Sequence, residues 1–207
     1  RTQSIEKKET LKKLGAELIE VDAAPFSSPK NYIKQSKKIA DDLKKENSNG
    51  VYWANQFDNV INTESHIQTT AEEIWNQTAG TIDGFTCAVG TGGTLAGVSI
   101  GLKNKNKNIK VALSDPMGSA LFSHIKRKKL ESSGSSITEG IGTGRITKNF
   151  EKALVDEAFQ TDDIEALNLV FDLIEQQKIV LGGSSGINIA GAIKLAKQMG
   201  PGKTIVT

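Results

Sequence analysis

Val89-Gly90-Thr91-Gly92-Gly93-Thr94 follows the short apolar run Phe85-Thr86-Cys87-Ala88 and opens a stretch, residues 94–102, with helical spacing. An apolar run without polar alternation marks a parallel strand covered on both faces. Glycines after such a strand let the backbone curl so that several N–H groups point inward, and the start of the next helix adds partial positive charge. Thr91 and Thr94 bring two hydroxyls to the same place. This combination suits an anion rich in acceptor oxygens, a phosphate monoester above all. The plainer reading is a tight turn whose glycines serve packing only. A dinucleotide site wants Gly-x-Gly-x-x-Gly with an acidic residue about 20 positions on. Gly90, Gly92 and Gly97 miss that spacing, although Asp115 lies near the required distance.

Outward from this loop, helical and strand-like stretches alternate. Helices are expected over residues 4–14, 31–46, 63–78 and 94–102, then from Thr161-Asp162-Asp163 onward, where acidic residues meet a positive helix end, and over 184–199. Strands are expected over 16–21 (AELIEV), 51–54, 85–89 and 109–113, near Ala158 and Phe159, and over 203–206. The alternation predicts an α/β fold with mostly parallel sheets flanked by helices. Residues 1–58 read as the latter part of a small lobe and 59–207 as most of a large one. The weakly patterned stretch 116–146 is long enough to be a functional loop.

The bulk properties narrow the class. Across 207 residues, 26 basic and 24 acidic side chains leave a formal charge of +2, too slight to point to nucleic acid or a membrane surface. The lysine-rich stretches 103–107 and 126–129 carry no interleaved aromatics and read as solvated surface. No apolar run reaches the roughly 20 residues that span a bilayer. The lone Cys87 sits in a buried strand and reads as core, while His66 and His124 lack partners at metal spacing and read as helix-face or surface residues. Trp53 and Trp75 read as packing. Arg1 opens a polar helix and Thr207 ends on a strand, so both ends are read as cut from a longer protein.

Two further glycine clusters stand out. Gly182-Gly183-Ser184-Ser185-Gly186 lies between the apolar run 179–181 and a helix, where its serines either cap the helix or face a ligand. Glu139-Gly140-Ile141-Gly142-Thr143-Gly144 allows close approach to a flat ligand. With the 90–94 loop, these clusters are expected to collect on one edge of the sheet, where open α/β sheets bind ligands.

Asn55-Gln56-Phe57, Thr69-Thr70-x-x-Glu73-Ile74-Trp75, the GTGGT loop, Gly140-Ile141-Gly142 and the 182–186 cluster follow one another in a set order. That order resembles the cysteine synthase and cystathionine β-synthase family, pyridoxal-phosphate enzymes of fold type II that carry out β-replacement on serine-type amino acids. The resemblance covers essentially the whole chain. It implies that Gly90, Thr91, Gly92, Gly93 and Thr94 bind the 5′-phosphate of pyridoxal 5′-phosphate and that Ser184 bonds the pyridine nitrogen. It implies that Gln56 meets the substrate carboxylate or the closing lobe and that Gly140 lies beside substrate and cofactor ring. A homodimer in the cytoplasm or mitochondrion is the family's usual state. The family's Schiff-base lysine and the Asn-containing loop after it have no counterpart here, so this chain alone is expected to be inactive. Two other readings stay open: a non-catalytic binding or assembly protein on the same fold, and a nucleotide-binding oxidoreductase.

Overall fold

A computed structural model describes residues 4–207. The chain divides into two compact units, the first ending at Asn55 and the second running Gln56–Thr207.

The first unit is built on two helices. Helix α1 (Ile5–Lys13) starts at Ser4, whose hydroxyl accepts from the Lys7 N–H at 3.4 Å, and the chain turns out of it through Gly15 at φ +84°. Helix α2 (Tyr32–Glu46) starts at the buried Asn31. Asn31 accepts from Ile33 N at 3.1 Å and donates to the Ala24 carbonyl at 2.8 Å, fixing the incoming chain to the helix start. Trp53 Nε1 donates to Ser36 Oγ at 3.1 Å, with the Lys37 ammonium 5.9 Å from its ring. Residues 16–21 and 51–54 do not form strands. A strand exists through its ladder, and neither segment finds one among the described residues. Apolar alternation alone cannot supply that partner.

In the second unit, helices α3 (Ile61–Gln68) and α4 (Thr70–Gln77) replace the single helix expected over 63–78. The break falls at Thr69, whose hydroxyl and N–H both bond the Ser65 carbonyl, at 2.8 and 2.9 Å. A threonine that bonds back this way competes with regular helix geometry. The chain then runs through β1 (Gly84–Cys87), α5 (Gly93–Lys105), β2 (Lys110–Pro116), α6 (Leu121–Arg127), β3 (Glu157–Thr161), α7 (Asp163–Gln177), α8 (Gly183–Met199) and β4 (Ile205–Val206). The apolar run 179–181 forms no strand, and Val180 is 78% exposed.

The four strands form one parallel sheet in the order β3-β2-β1-β4. This is the α/β, mostly parallel architecture implied by the alternation. Every β1 residue is buried, as are all of β2 but its first, so these two central strands are covered on both faces. Leu95, Val98 and Leu102 on α5 pack with Val111, Leu113 and Leu121 in the main core. Cys87 belongs to that core, and burial pushes its thiol up to about 12. Alkylation followed by peptide mapping should therefore label Cys87 only after unfolding; labelling of the native protein at neutral pH would contradict this placement.

Candidate cofactor site

The C-terminal end of β1 is where the glycine clusters meet. The 90–94 loop continues directly from it. Gly142 N donates to the Val89 carbonyl at 2.8 Å, and the Gly140 carbonyl oxygen lies 2.2 Å from where a Cβ on Gly90 would stand. Asn188 on α8 accepts from Ala88 N at 2.6 Å. Ser184, one turn earlier, shares that helix face. Gly183 faces Thr138, whose methyl lies 3.7 Å from a Cβ built on it. Gly140 and Gly142 both adopt φ +80°, a turn that only glycine makes without strain. Beside them a groove of about 290 Å³ is lined by Ser119, Ser135, Ser136, Thr138, Ile141 and Gly142.

The loop fits an anion by its donors. Gly92 takes φ +89° and α5 begins at Gly93, so the first turn of a 13-residue helix faces the loop. The N–H groups of Thr91, Gly92 and Thr94 have no partner among the described residues. Thr91 Oγ1 accepts from Gly93 N at 3.3 Å and from Asn62 Nδ2 at 3.1 Å. A hydroxyl has two acceptor positions and one proton, so Thr91 is left as a donor. Thr94 Oγ1 bonds His66 Nε2 at 3.1 Å. A Cβ on Gly92 would stand 2.8 Å from the Phe150 backbone, so the loop is also closed to any larger residue there.

Distant segments brace this loop, and no local pattern in the sequence marks them. Thr147 Oγ1 donates to the Thr91 carbonyl at 2.6 Å. Asn149 is fully buried; it accepts from Thr63 Oγ1 at 2.7 Å and donates to the carbonyls of Gln56 and Phe57 at 3.0 and 2.8 Å. Asn62 Nδ2 also donates to the Gln56 carbonyl, at 3.0 Å. The backbone of Gln56 is thus fixed within the second unit while its side chain is exposed. Arg145 grips both Asp58 oxygens at 3.1 and 3.0 Å, and Lys148 N donates to the same carboxylate. Burial raises the Asp58 carboxyl, but Arg145 and the Lys148 N–H outweigh it and hold the group below its usual value. A signal for α3 was present: Gly93, Gly97 and Gly101 recur every fourth residue on α5. Their added Cβ atoms would collide with Asn62, His66 and Ala71, so α3 and α4 lie directly against that glycine stripe.

Asp115 has a different role from the one a dinucleotide would need. It is fully buried at the end of β2, and its Oδ2 accepts from Phe122 N at 2.7 Å, while Oδ1 has no partner among the described residues. Burial raises its carboxyl to about 6, against the pull of the Phe122 N–H and the Ser119 hydroxyl. The folded value lies above the unfolded one, so the native state takes up this proton first as pH falls. Ionised Asp115 therefore costs stability above about pH 6, by about 3 kcal/mol, and that cost disappears toward pH 4. Asp115→Asn is expected to be more stable than the parent at pH 7 and equal to it near pH 4 in urea titrations. A difference independent of pH would overturn this.

The parallel sheet, the glycine loop at its C-terminal edge and the neighbouring serine-bearing helix define a class. The chain belongs to the pyridoxal-phosphate dependent enzymes, whose family pattern matches residues 1–207, and its fold is the fold type II of that group. More particularly, it is 43% identical over 211 residues to cysteine synthase 1 of Neurospora crassa, covering 100% of this chain and 55% of that protein. It is 40% identical to the cysteine synthase of Dictyostelium discoideum, covering 99% of this chain and 55% of the relative. Among solved structures it is similar to O-acetyl serine sulfhydrylase isoform 3 from Entamoeba histolytica, with TM-score 0.80 and 35% identity over 99% of this chain and 58% of that one. It is also similar to the O-acetylserine dependent cystathionine beta-synthase from Helicobacter pylori, with TM-score 0.82 and 28% identity over 98% of this chain and 61% of the other. The chain spans just over half the length of the curated relatives it matches. Among the described residues no helix is long and apolar enough to cross a membrane.

Proposed function

We propose that the natural protein is a pyridoxal-phosphate-dependent cysteine synthase, replacing the β-substituent of O-acetylserine, or of serine or O-phosphoserine, with sulfide to give L-cysteine. The observation that carries this reading is the donor set of the 90–94 loop on a chain 43% identical to a cysteine synthase. Bound pyridoxal 5′-phosphate supplies the electron sink that lets an amino acid lose its α-proton and β-substituent. Gly90, Thr91, Gly92, Gly93 and Thr94 hold its phosphate through backbone N–H groups and two hydroxyls. Ser184 offers the pyridine nitrogen a neutral hydroxyl, which does not hold that nitrogen protonated as a carboxylate would. Milder electron withdrawal favours β-replacement over transamination. Gln56 and Gly140 meet the substrate, and the hydroxyl-lined groove beside Gly142 offers it a polar wall. Residues 1–58 serve as part of the substrate lobe and 59–207 as most of the cofactor lobe. The protein works as a homodimer inside the cell, in cytoplasm or mitochondrion.

The test is turnover by the natural protein with sulfide and each of the three β-substituted serines. Cysteine formation is expected, fastest with O-acetylserine. Cystathionine formation from homocysteine in its place would move the assignment to cystathionine β-synthase, and no turnover would favour a binding protein. On this reading the Schiff-base lysine of the family lies outside these 207 residues. No lysine side chain bonds the 90–94 loop among the described residues. Borohydride treatment of the 207-residue chain with the cofactor should fix it to no single lysine; one specific adduct, located by peptide mapping, would refute that placement.

A further inference from the structure

His66 lies between two threonine hydroxyls that have no other hydrogen-bond partner among the described residues. Its Nδ1 is 2.9 Å from Thr70 Oγ1 and its Nε2 is 3.1 Å from Thr94 Oγ1. It is half-buried, and its Cβ lies 2.4 Å from where a Cβ on Gly97 would stand, so the ring is set by the close approach of α3 to α5. A neutral imidazole donates from one nitrogen and accepts at the other. In one arrangement Thr94 gives its only proton to His66 and keeps none for a ligand. In the other, His66 donates to Thr94 and accepts from Thr70, and the Thr94 proton is free.

We propose that His66 is a positioning residue of the phosphate loop, donating its Nε2–H to Thr94 so that the Thr94 hydroxyl donates to the bound phosphate, with Thr70 completing the relay at Nδ1. This rests on the reading of the 90–94 loop as the cofactor phosphate site. Asn62 does the same for Thr91: its Nδ2–H occupies one acceptor position of Thr91 Oγ1 and the Gly93 N–H occupies the other. Asn62 and His66 stand one turn apart on the same face of α3. One helix therefore sets both loop hydroxyls as donors. Burial also lowers the His66 pKa, which keeps the ring neutral near pH 7 and makes its tautomer meaningful. A dianion at the loop selects the donor arrangement, because only that arrangement gives it a further hydrogen bond.

The test uses the natural protein and measures equilibrium binding of pyridoxal 5′-phosphate and of pyridoxal, which lacks the phosphate. His66→Leu is expected to weaken pyridoxal 5′-phosphate by about tenfold, the scale of one hydrogen bond to a charged group, and to leave pyridoxal unchanged. His66→Gln, which restores an amide donor, should recover most of the loss. In a Thr94→Val background, His66→Leu should cost less than about twofold more, since its effect acts through that hydroxyl. In the unmutated protein with cofactor bound, the imidazole ¹⁵N spectrum should show the proton on Nε2, a readout that needs no variant to fold. Unchanged affinity in His66→Leu, an equal loss for pyridoxal, additive losses with Thr94→Val, or a proton on Nδ1 would each overturn the proposal while leaving the cofactor assignment standing. If the unmutated protein binds pyridoxal 5′-phosphate no better than pyridoxal, the phosphate-site reading falls and this proposal falls with it.

Discussion

Gly97→Leu is expected to destabilise the natural protein by about 3 kcal/mol or more and to weaken its hold on the cofactor at the same time. The position is buried in the middle of α5, and even a bare Cβ there would lie 2.4 Å from His66 Cβ and 2.5 Å from the Thr63 carbonyl oxygen. Neither atom is the free end of a flexible side chain. Helix propensity alone would favour leucine over glycine by about 1 kcal/mol, so the direction of the result separates packing from propensity. Packing should win. Moving α3 away from α5 withdraws Asn62 and His66 from Thr91 and Thr94 together, so cofactor affinity should fall with stability. Gly144→Ala is the internal control: nothing lies within 4 Å of its added Cβ, and its stability should stay within about 0.5 kcal/mol of the parent. Urea denaturation of both variants checks this, and a Gly97→Leu protein that melts like the parent would contradict the tight helix contact.

Asn149→Leu is expected to have an effect of similar size for a different reason. The side chain is fully buried and uses both its oxygen and its amide group, binding Thr63 Oγ1 and the carbonyls of Gln56 and Phe57. Leucine fills much the same volume but leaves the Thr63 hydroxyl and the Phe57 carbonyl without these partners. Asn62 still serves the Gln56 carbonyl. Orphaning the buried Thr63 hydroxyl, together with the three hydrogen bonds that Asn149 gives up, costs about 3 kcal/mol. Hydrogen exchange should locate the damage, with faster exchange over residues 56–63 and unchanged protection in β1 and β2. A uniform loss of protection would mean that Asn149 supports the whole unit rather than this bracket.

These two positions mark the boundary of what the sequence reveals. The 90–94 loop is legible because its chemistry is local: an apolar run, glycines and hydroxyls in consecutive positions, then helical spacing. The parallel sheet is legible for the same reason, through the buried runs of β1 and β2. Asn149 is not, because its partners lie 86 to 93 residues away and a single asparagine carries no periodic signal. His66 looks like an ordinary helix-face histidine until α5 brings Thr94 to its ring. The strands expected over residues 16–21 and 51–54 fail where a property of pairs is read from one segment. The helix expected over 63–78 fails at Thr69, where a side chain competes with the backbone. The glycine stripe at positions 93, 97 and 101 is periodic in the sequence, but its four-residue spacing is that of a helix face packed against a neighbouring helix, not that of a dinucleotide loop.

A structure of the natural protein with pyridoxal 5′-phosphate bound tests the central claim most directly. The phosphate oxygens should accept hydrogen bonds, at about 2.9 Å, from the N–H groups of Thr91, Gly92 and Thr94, with both threonine hydroxyls donating alongside. A phosphate held by other residues, with the 90–94 loop facing water, would contradict it.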